Sequence, residues 1–397
     1  MKVPLSPDRL DESSLEKLAR KSEYRALVYS AVPNELEPRT ASMSRSACMY
    51  VQPSVRIEER EELPLDFDSV RIRPLRLGIC GTDLHLMEIT DRGLVRCTSP
   101  FSIPPQGRVI GHEGVAVVEE IGSGVKGFQV GDYVCSESIQ TCGHCRPCRQ
   151  GQFNQCDHST LLGLQIDGLF AEQAVVSAGL LHRVNDLVHS ASSLDGLACV
   201  EPAAVAFLAL KNADVQAGQS VLVVGGGPIG HLSAWLAREF FGASSVVLTE
   251  PSEFRRQHAE YAADLCLHPD ELHSLGRAFD VIIEAAGALE AIDGLITRMR
   301  PNGRIVLLAR TGTSLSIRGV DEMITKSIRI MGSRGHLGGA FDAILELIRS
   351  DRIDLGRIVT RRVQGLAGIA EVMNDPVNSA SMDCKIIAEL GTTGTYA

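Results

Sequence analysis

The stretch Ser220-Val-Leu-Val-Val224-Gly225-Gly226-Gly227-Pro228-Ile229-Gly230-His231-Leu-Ser-Ala-Trp-Leu-Ala-Arg238 decides the fold of this chain. It opens as a short β-branched apolar run, passes through closely spaced glycines and continues with the apolar period of a helix. A G-x-G-x-x-G run is weak evidence by itself, but between a strand and a helix it stands where dinucleotide binding needs it. Gly225 permits the tight turn, Gly227 lets a pyrophosphate approach the backbone, and Gly230 lets helix and strand pack closely. The helix N-terminus offers amides and positive dipole to the phosphates. Gly225, Gly227, Pro228, Ile229 and Gly230 are therefore candidate cofactor-binding residues.

A second strand, Ser245-Val-Val-Leu-Thr249, runs into Glu250, 20 residues after Gly230. That is where an acid binding the adenosine ribose hydroxyls is expected. A carboxylate there repels the extra phosphate of NADP, so NAD is expected over NADP, although Arg255 and Arg256 follow closely and offset the repulsion. Further strands are legible in 279–284, 303–308 and 328–331, five with the two above, and a six-stranded doubly wound parallel sheet is expected. Lys385-Ile-Ile-Ala-Glu-Leu390 reads as a strand returning to the first domain.

Upstream lies Cys142-Gly-His-Cys145-Arg-Pro-Cys148, closed by Cys156. Four thiols at this spacing can surround one tetrahedral zinc, and the glycine and proline fillers imply a loop folded around the ion. Disulfides would require an exported chain, and the charged N-terminus resembles no secretory signal. Two more fragments carry chemistry. Cys80-Gly-Thr82-Asp83-Leu-His85 sets a thiol, a hydroxyl and an imidazole around a turn. Gly111-His112-Glu113-Gly114 offers an imidazole and a carboxylate at the start of an apolar strand.

The chain has 397 residues, 44% hydrophobic and 22% charged, with net charge −10. That composition belongs to a globular protein of about two domains. The acidic balance argues against nucleic acid, and no window approaches the roughly 20 apolar residues of a membrane span. A cytoplasmic location is expected, where cysteines outside metal sites, among them Cys48, Cys97, Cys135, Cys266 and Cys384, serve as small buried apolar groups. Residues 1–22 read as an extension in which only Leu15 and Leu18 hint at a helix. Arg25-Ala-Leu-Val-Tyr29 and Val55-Arg-Ile-Glu-Glu59 read as partner strands separated by an insertion-like loop, Pro33 to Pro53.

Taken in order, the Cys80-Gly-Thr-Asp turn, Gly111-His-Glu113, the cysteine lobe, Glu201-Pro202 and the glycine-rich turn make residues 23–390 resemble the zinc-dependent medium-chain dehydrogenase/reductase family. The resemblance implies an α/β chain with a partly opened, GroES-like β-barrel catalytic domain and an inserted Rossmann domain. The corresponding boundaries are 23–200 and 352–397 for the catalytic domain, with the lobe at 142–156, and 201–351 for the NAD-binding domain. Cys199-Val-Glu201-Pro202 is similar to the polyol (sorbitol), threonine and butanediol dehydrogenase branch, where a Cys, His and Glu set binds the catalytic zinc. Pro202 stands where alcohol dehydrogenases of animals and plants place a second cysteine, and Cys199 lies two residues early.

By resemblance, Cys80 and His112 are catalytic-zinc ligands. Of Glu113 and Glu201, one coordinates directly and the other stands behind it or exchanges with substrate. Two zinc ions per chain and NAD are implied, with hydride transfer between a secondary alcohol of polyol, cyclitol or amino-alcohol type and the nicotinamide. Thr82 passes the proton through the cofactor ribose to His85, and Asp83 orients the turn. The alternatives are a primary-alcohol or aldehyde dehydrogenase, a biosynthetic carbonyl reductase, and a non-catalytic relative. A small-molecule alcohol or ketone is the expected partner, with no nucleic acid or membrane, in a homodimer or homotetramer. The insertion and the long stretch from His85 to Gly111 depart from the family pattern; cleft cover, surface elaboration and a subunit contact are all open for them.

Overall fold

A computed structural model describes residues 23–34, 50–97, 99 and 101–391. The N-terminal extension, Cys48 and most of the Pro33–Pro53 loop lie outside the described residues.

The β-branched runs of the second half form a six-stranded, all-parallel sheet. Its spatial order is Leu265–Leu267, Ser245–Thr249, Ser220–Val224, Phe279–Glu284, Met299–Leu307 and Arg329–Gly332. Order reverses beside Ser220–Val224, which places a ligand crevice at the carboxyl ends of the central strands. Alternate residues serve opposite faces: Val221, Val223, Val246, Leu248, Val281 and Ile283 enter one core, while Leu222, Val247, Ile282 and Ile305 enter another. Period-2 burial on both faces is why these strands read as unbroken apolar runs.

The other half is mainly antiparallel. Its largest sheet runs Leu181–Arg183, Tyr133–Ser136, Glu113–Ile121, Ser69–Ile79, Lys385–Glu389 and Val359–Gln364, with Ala174–Ser177 also paired to Ser69–Ile79. A three-stranded sheet lies alongside it, built from Tyr50–Glu61, Glu23–Pro33 and Arg108–Val109, with Ala26 bridged to Ala171 just before Ala174–Ser177; the whole is a partly opened barrel. The expected pairing of the first two strands is observed, with Arg25 opposite Glu59 and Tyr29 opposite Val55. The returning strand is also as expected, antiparallel to Ser69–Ile79 with Ile387 opposite Gly78.

One apolar core joins the two halves. It takes Leu75 and Val115 from the barrel, Leu194 to Leu210 from two connecting helices, and Leu232, Trp235, Phe341 and Ile344 from helices on the parallel sheet. Among the described residues no single helix is long and apolar enough to cross a membrane. The bent pair Ala191–Leu197 and Val200–Asn212 passes by length and composition, and its apolar residues are packed in this core.

Candidate active site

The central strands of the barrel bring the first donors together. Ser69–Ile79 ends at Cys80, which caps the helix Gly81–Met87. The Cys80 thiol accepts from the Thr82 amide at 3.5 Å, and the Asp83 carboxylate accepts from the Cys80 amide at 3.0 Å. In the neighbouring strand Glu113 lies opposite Gly78, so the His112-Glu113 pair faces the thiol. Gly111 has φ +90°, and a side chain there would collide with the ring of Phe170. The glycine therefore lets the chain turn tightly before His112.

Cys80, His112 and Glu113 offer donor atoms within 4.8 Å of one another. His112 Nδ1 stands 3.6 Å from Asp83 Oδ1. The His112 Nδ1, Glu113 Oε1 and Asp83 Oδ1 atoms are buried without a hydrogen-bond partner. Burial drives the Cys80 thiol and the Asp83 carboxyl upward. It also opposes a charge on His112, yet Asp83 and Cys80 pull the imidazole well above its ordinary value. Acidic groups crowded around one buried imidazole, with oxygens left over, form a donor set that a cation would complete.

Glu113 has a second partner that the sequence did not reveal. Lys385, at the start of the returning strand, is 1% exposed, donates to Glu113 Oε2, and also donates to the Ile79 carbonyl at 3.0 Å. A side chain on Gly78 would strike this ion pair, so glycine is needed between the two strands. Attraction to Glu113 keeps the lysine raised against the opposing effect of burial. The available signal was a lysine opening an otherwise apolar strand.

Glu201 lies outside the three-donor cluster, on the helix Val200–Asn212. Its Oε1 accepts from Ser138 Oγ at 2.9 Å and lies 3.2 Å from His336 Nδ1. The Ser138 amide donates to His336 Nε2 at 3.1 Å, which leaves the ring proton on Nδ1, facing the carboxylate. Burial would raise the Glu201 carboxyl, but His336, His112 and Ser138 bring it to about 2. Neither Ser138 nor His336 was anticipated; a lone histidine in the glycine-rich stretch Gly335-His-Leu-Gly-Gly339 was the signal. Cys199 does not compete for the cluster, since its buried thiol donates to the Asp195 carbonyl.

Thr82 and His85 project from one short helix three residues apart, both partly buried. Burial lowers the His85 pKa, with Glu88 opposing.

In the lobe, the four thiols of Cys142, Cys145, Cys148 and Cys156 also lie within 4.8 Å. The 142–156 and 145–156 sulfur separations are 3.6 and 3.8 Å. A tetrahedron with zinc–sulfur bonds of about 2.3 Å has edges of about 3.8 Å, so the cluster has the dimensions of a four-thiolate zinc site. The Cys148 amide brings the Cys145 thiol down to about 6. The expected loop contains one helical turn, Arg146–Arg149, with Pro147 near its start.

At the parallel sheet, Gly225 has φ +102° and a Cβ on Gly230 would fall onto the Gly225 carbonyl, so both glycines are sterically required. Open space faces Gly227. Pro228 and Ile229 start the following helix, with Gly227 as its cap. Glu250 accepts from the Gly226 amide at 2.7 Å and the Ser252 amide at 2.9 Å. Gly226, passed over in the sequence, is glycine because a side chain would crowd Glu250. Arg255 lies 4.0 Å from Glu250 but gives Nε and Nη2 to the Asp383 carbonyl; Arg256 donates to the carbonyls of Glu250 and Pro251.

Comparison with known proteins bears on this constellation. The family profile for the alcohol dehydrogenase GroES-like domain matches residues 66–186, and that for zinc-binding dehydrogenase matches 228–350. The L-threonine 3-dehydrogenase of Pyrococcus horikoshii is 34% identical over 307 residues, spanning 75% of this chain and 84% of that enzyme. The chain belongs to the zinc-binding alcohol dehydrogenase family. Within that family, the scyllo-inosose 3-dehydrogenase of Thermotoga maritima is 31% identical over 358 residues, covering 83% of this chain and 89% of its own. A Thermotoga maritima structure provisionally described as an alcohol dehydrogenase superposes with a TM-score of 0.81 at 27% identity, over 92% of this chain and all of that one. This family member is accordingly an oxidoreductase of the zinc and nicotinamide type, acting on the alcohol group of a small molecule.

Proposed function

We propose that the protein oxidises a secondary alcohol of polyol, cyclitol or amino-alcohol type with NAD, using one catalytic and one structural zinc per chain. The observation that carries this reading is the buried Cys80, His112 and Glu113 cluster with orphaned donor atoms and the Glu201 carboxylate on the next helix. The L-threonine and scyllo-inosose dehydrogenases, whose names describe secondary-alcohol chemistry, support the substrate class.

When bound, zinc supplies Lewis acidity toward the alcohol oxygen and NAD supplies the hydride acceptor. Cys80, His112 and Glu113 are its holders, with Asp83 fixing the ring of His112. Lys385 balances Glu113, so the cluster does not carry a full set of uncompensated acids. Glu201, fixed by Ser138 and His336, presents a second carboxylate for orienting substrate hydroxyls. Thr82 would relay the substrate proton, its hydroxyl oxygen accepting it as the hydroxyl's own proton leaves toward His85, and His85, whose pKa burial lowers, would hand that proton to solvent. The turn at 225–230 seats the pyrophosphate, and Glu250, held by two amides, accepts from the ribose hydroxyls and disfavours a phosphate there.

A homodimer or homotetramer would form along Arg329–Gly332, the outer strand of the parallel sheet, near the exposed Val320 and Ile324. Light scattering tests that state. The functional reading is tested by metal content and NAD reduction on one sample against polyols, cyclitols and amino-alcohols. Zinc at both the barrel cluster and the cysteine lobe, and turnover confined to secondary alcohols, are expected; a preference for primary alcohols overturns the substrate class. Glu250→Ala should narrow the preference for NAD over NADP, and an unchanged ratio removes Glu250 from the ribose.

A further inference from the structure

Away from both clusters, three residues from distant parts of the chain converge. His231 lies on the helix Pro228–Glu239, His258 ends the helix Glu253–His258, and Cys384 immediately precedes the strand Lys385–Glu389. Each offers a donor atom, and the three atoms lie within 4.8 Å of one another. We propose that His231, His258 and Cys384 form a third metal site, for a thiolate-binding cation of the zinc class, which ties the cofactor-binding helix to the returning strand of the barrel.

The argument rests on unmet polar demand. His231 is fully buried and Cys384 is 5% exposed. The Nε2 atoms of His231 and His258 are both buried without a partner, and the rings lie 5.2 Å apart. His231 Nδ1 stands 3.7 Å from Cys384 Sγ, long for any strong hydrogen bond. A neutral imidazole carries one donor and one acceptor, and leaving such groups idle inside a protein is costly. Two imidazoles and a thiol form a borderline-soft donor set, which suits zinc and excludes calcium or magnesium. Burial also holds His231 down at about 3, so it stays uncharged at neutral pH with a lone pair to give.

The surroundings constrain the charge. Tyr261 packs on His231 at 4.9 Å, and the Arg357 guanidinium lies 3.8 Å from the Tyr261 ring centre. A dication beside this arginine needs an anionic ligand, so Cys384 must bind as thiolate. Position gives the site a consequence. Asp383, adjacent to Cys384, accepts both hydrogen bonds from Arg255, whose guanidinium approaches Glu250. A metal here would therefore fix the segment that braces the adenosine end of the cofactor site.

The test is zinc content of the full-length protein after dialysis against zinc and removal of free metal. Measured beside the wild type are His258→Phe, which keeps a ring and removes its nitrogens, and Cys384→Ala. One zinc fewer per chain is expected in each variant, with turnover at saturating NAD within about twofold of wild type, since neither residue touches the catalytic cluster. Cobalt substitution should show a thiolate charge-transfer band that is weaker in Cys384→Ala. Equal zinc content in the wild type and both variants overturns the proposal and leaves a packed aromatic and thiol cluster. Should Cys384→Ala fail to fold, His258→Phe decides alone. Loss of zinc from Cys80→Ser is counted separately, so failure here is distinguishable from failure of the catalytic reading.

Discussion

The two principal clusters use the same element of recognition, cysteine, in opposite ways. In the lobe, four thiols from one continuous segment surround a point, and local backbone alone sets their spacing. At the barrel, a thiol, an imidazole and a carboxylate from two paired strands converge, backed by charges from far along the chain. A closed set of four identical ligands leaves no place for substrate, and its contribution is to folding. A mixed set of three, with surplus carboxylates nearby, has room for chemistry. Sequence-local geometry marks the structural site, and long-range assembly marks the reactive one.

The sharpest way to break this contrast is Cys80→Ser. The hydroxyl can still cap its helix, so turnover should fall by about 1,000-fold or more, with the thermal midpoint nearly unchanged. A large fall in stability would make the barrel cluster structural after all. Cys145→Ser should do the reverse, losing one zinc and lowering the midpoint by on the order of 10 °C through a loss of about 3 kcal/mol or more. Calorimetry and metal analysis on the same samples check both.

Lys385→Met probes what separates the sites, because the barrel cluster has a fully buried lysine as its counter-charge. Removing one partner of such an ion pair leaves Glu113 uncompensated, with an expected cost of about 3–5 kcal/mol in chemical denaturation together with reduced turnover. Lys385→Arg should rescue part of either loss. The smallest effect belongs to His85→Asn, with alcohol oxidation slowed by about tenfold at neutral pH. The folded-state pKa of His85 is depressed, so the base form persists below its ordinary 6.5 and the acid limb of kcat/KM should fall beneath that value. The same depression means that protonation favours unfolding as the pH drops, so the stability attached to His85 is lost in acid. Loss of the acid limb in His85→Asn confirms the assignment, and an unchanged profile removes His85 from the proton path.

Legibility in the sequence followed the same division. The parallel sheet except its short edge strand Leu265–Leu267, the glycine turn, Glu250 at its strand end and the cysteine lobe depend on neighbours within a few tens of residues, and could be read directly. So could the chain order that carries the family resemblance. Lys385 could not, because its partner lies 272 positions away and only the pairing of Lys385–Glu389 with Ser69–Ile79 joins them. His336 reaches Ser138 across 198 positions and was missed for the same reason. Glu113 and Glu201 looked equivalent in the text; their difference lies in burial partners that no local pattern encodes. Cys384 read as a small apolar residue because the two histidines beside it come from elsewhere in the chain.

One contact gives the lobe a role beyond its own folding. Asn154 exchanges two buried hydrogen bonds with the backbone of Leu337, at 3.0 and 3.1 Å, and Arg334 donates to Ser159. Gly335 is glycine there because a side chain would run into Asn154. The turn gripped in this way carries His336, whose ring faces Glu201. The lobe therefore works as a clasp between barrel and parallel sheet, fixing the turn that aims His336 at Glu201.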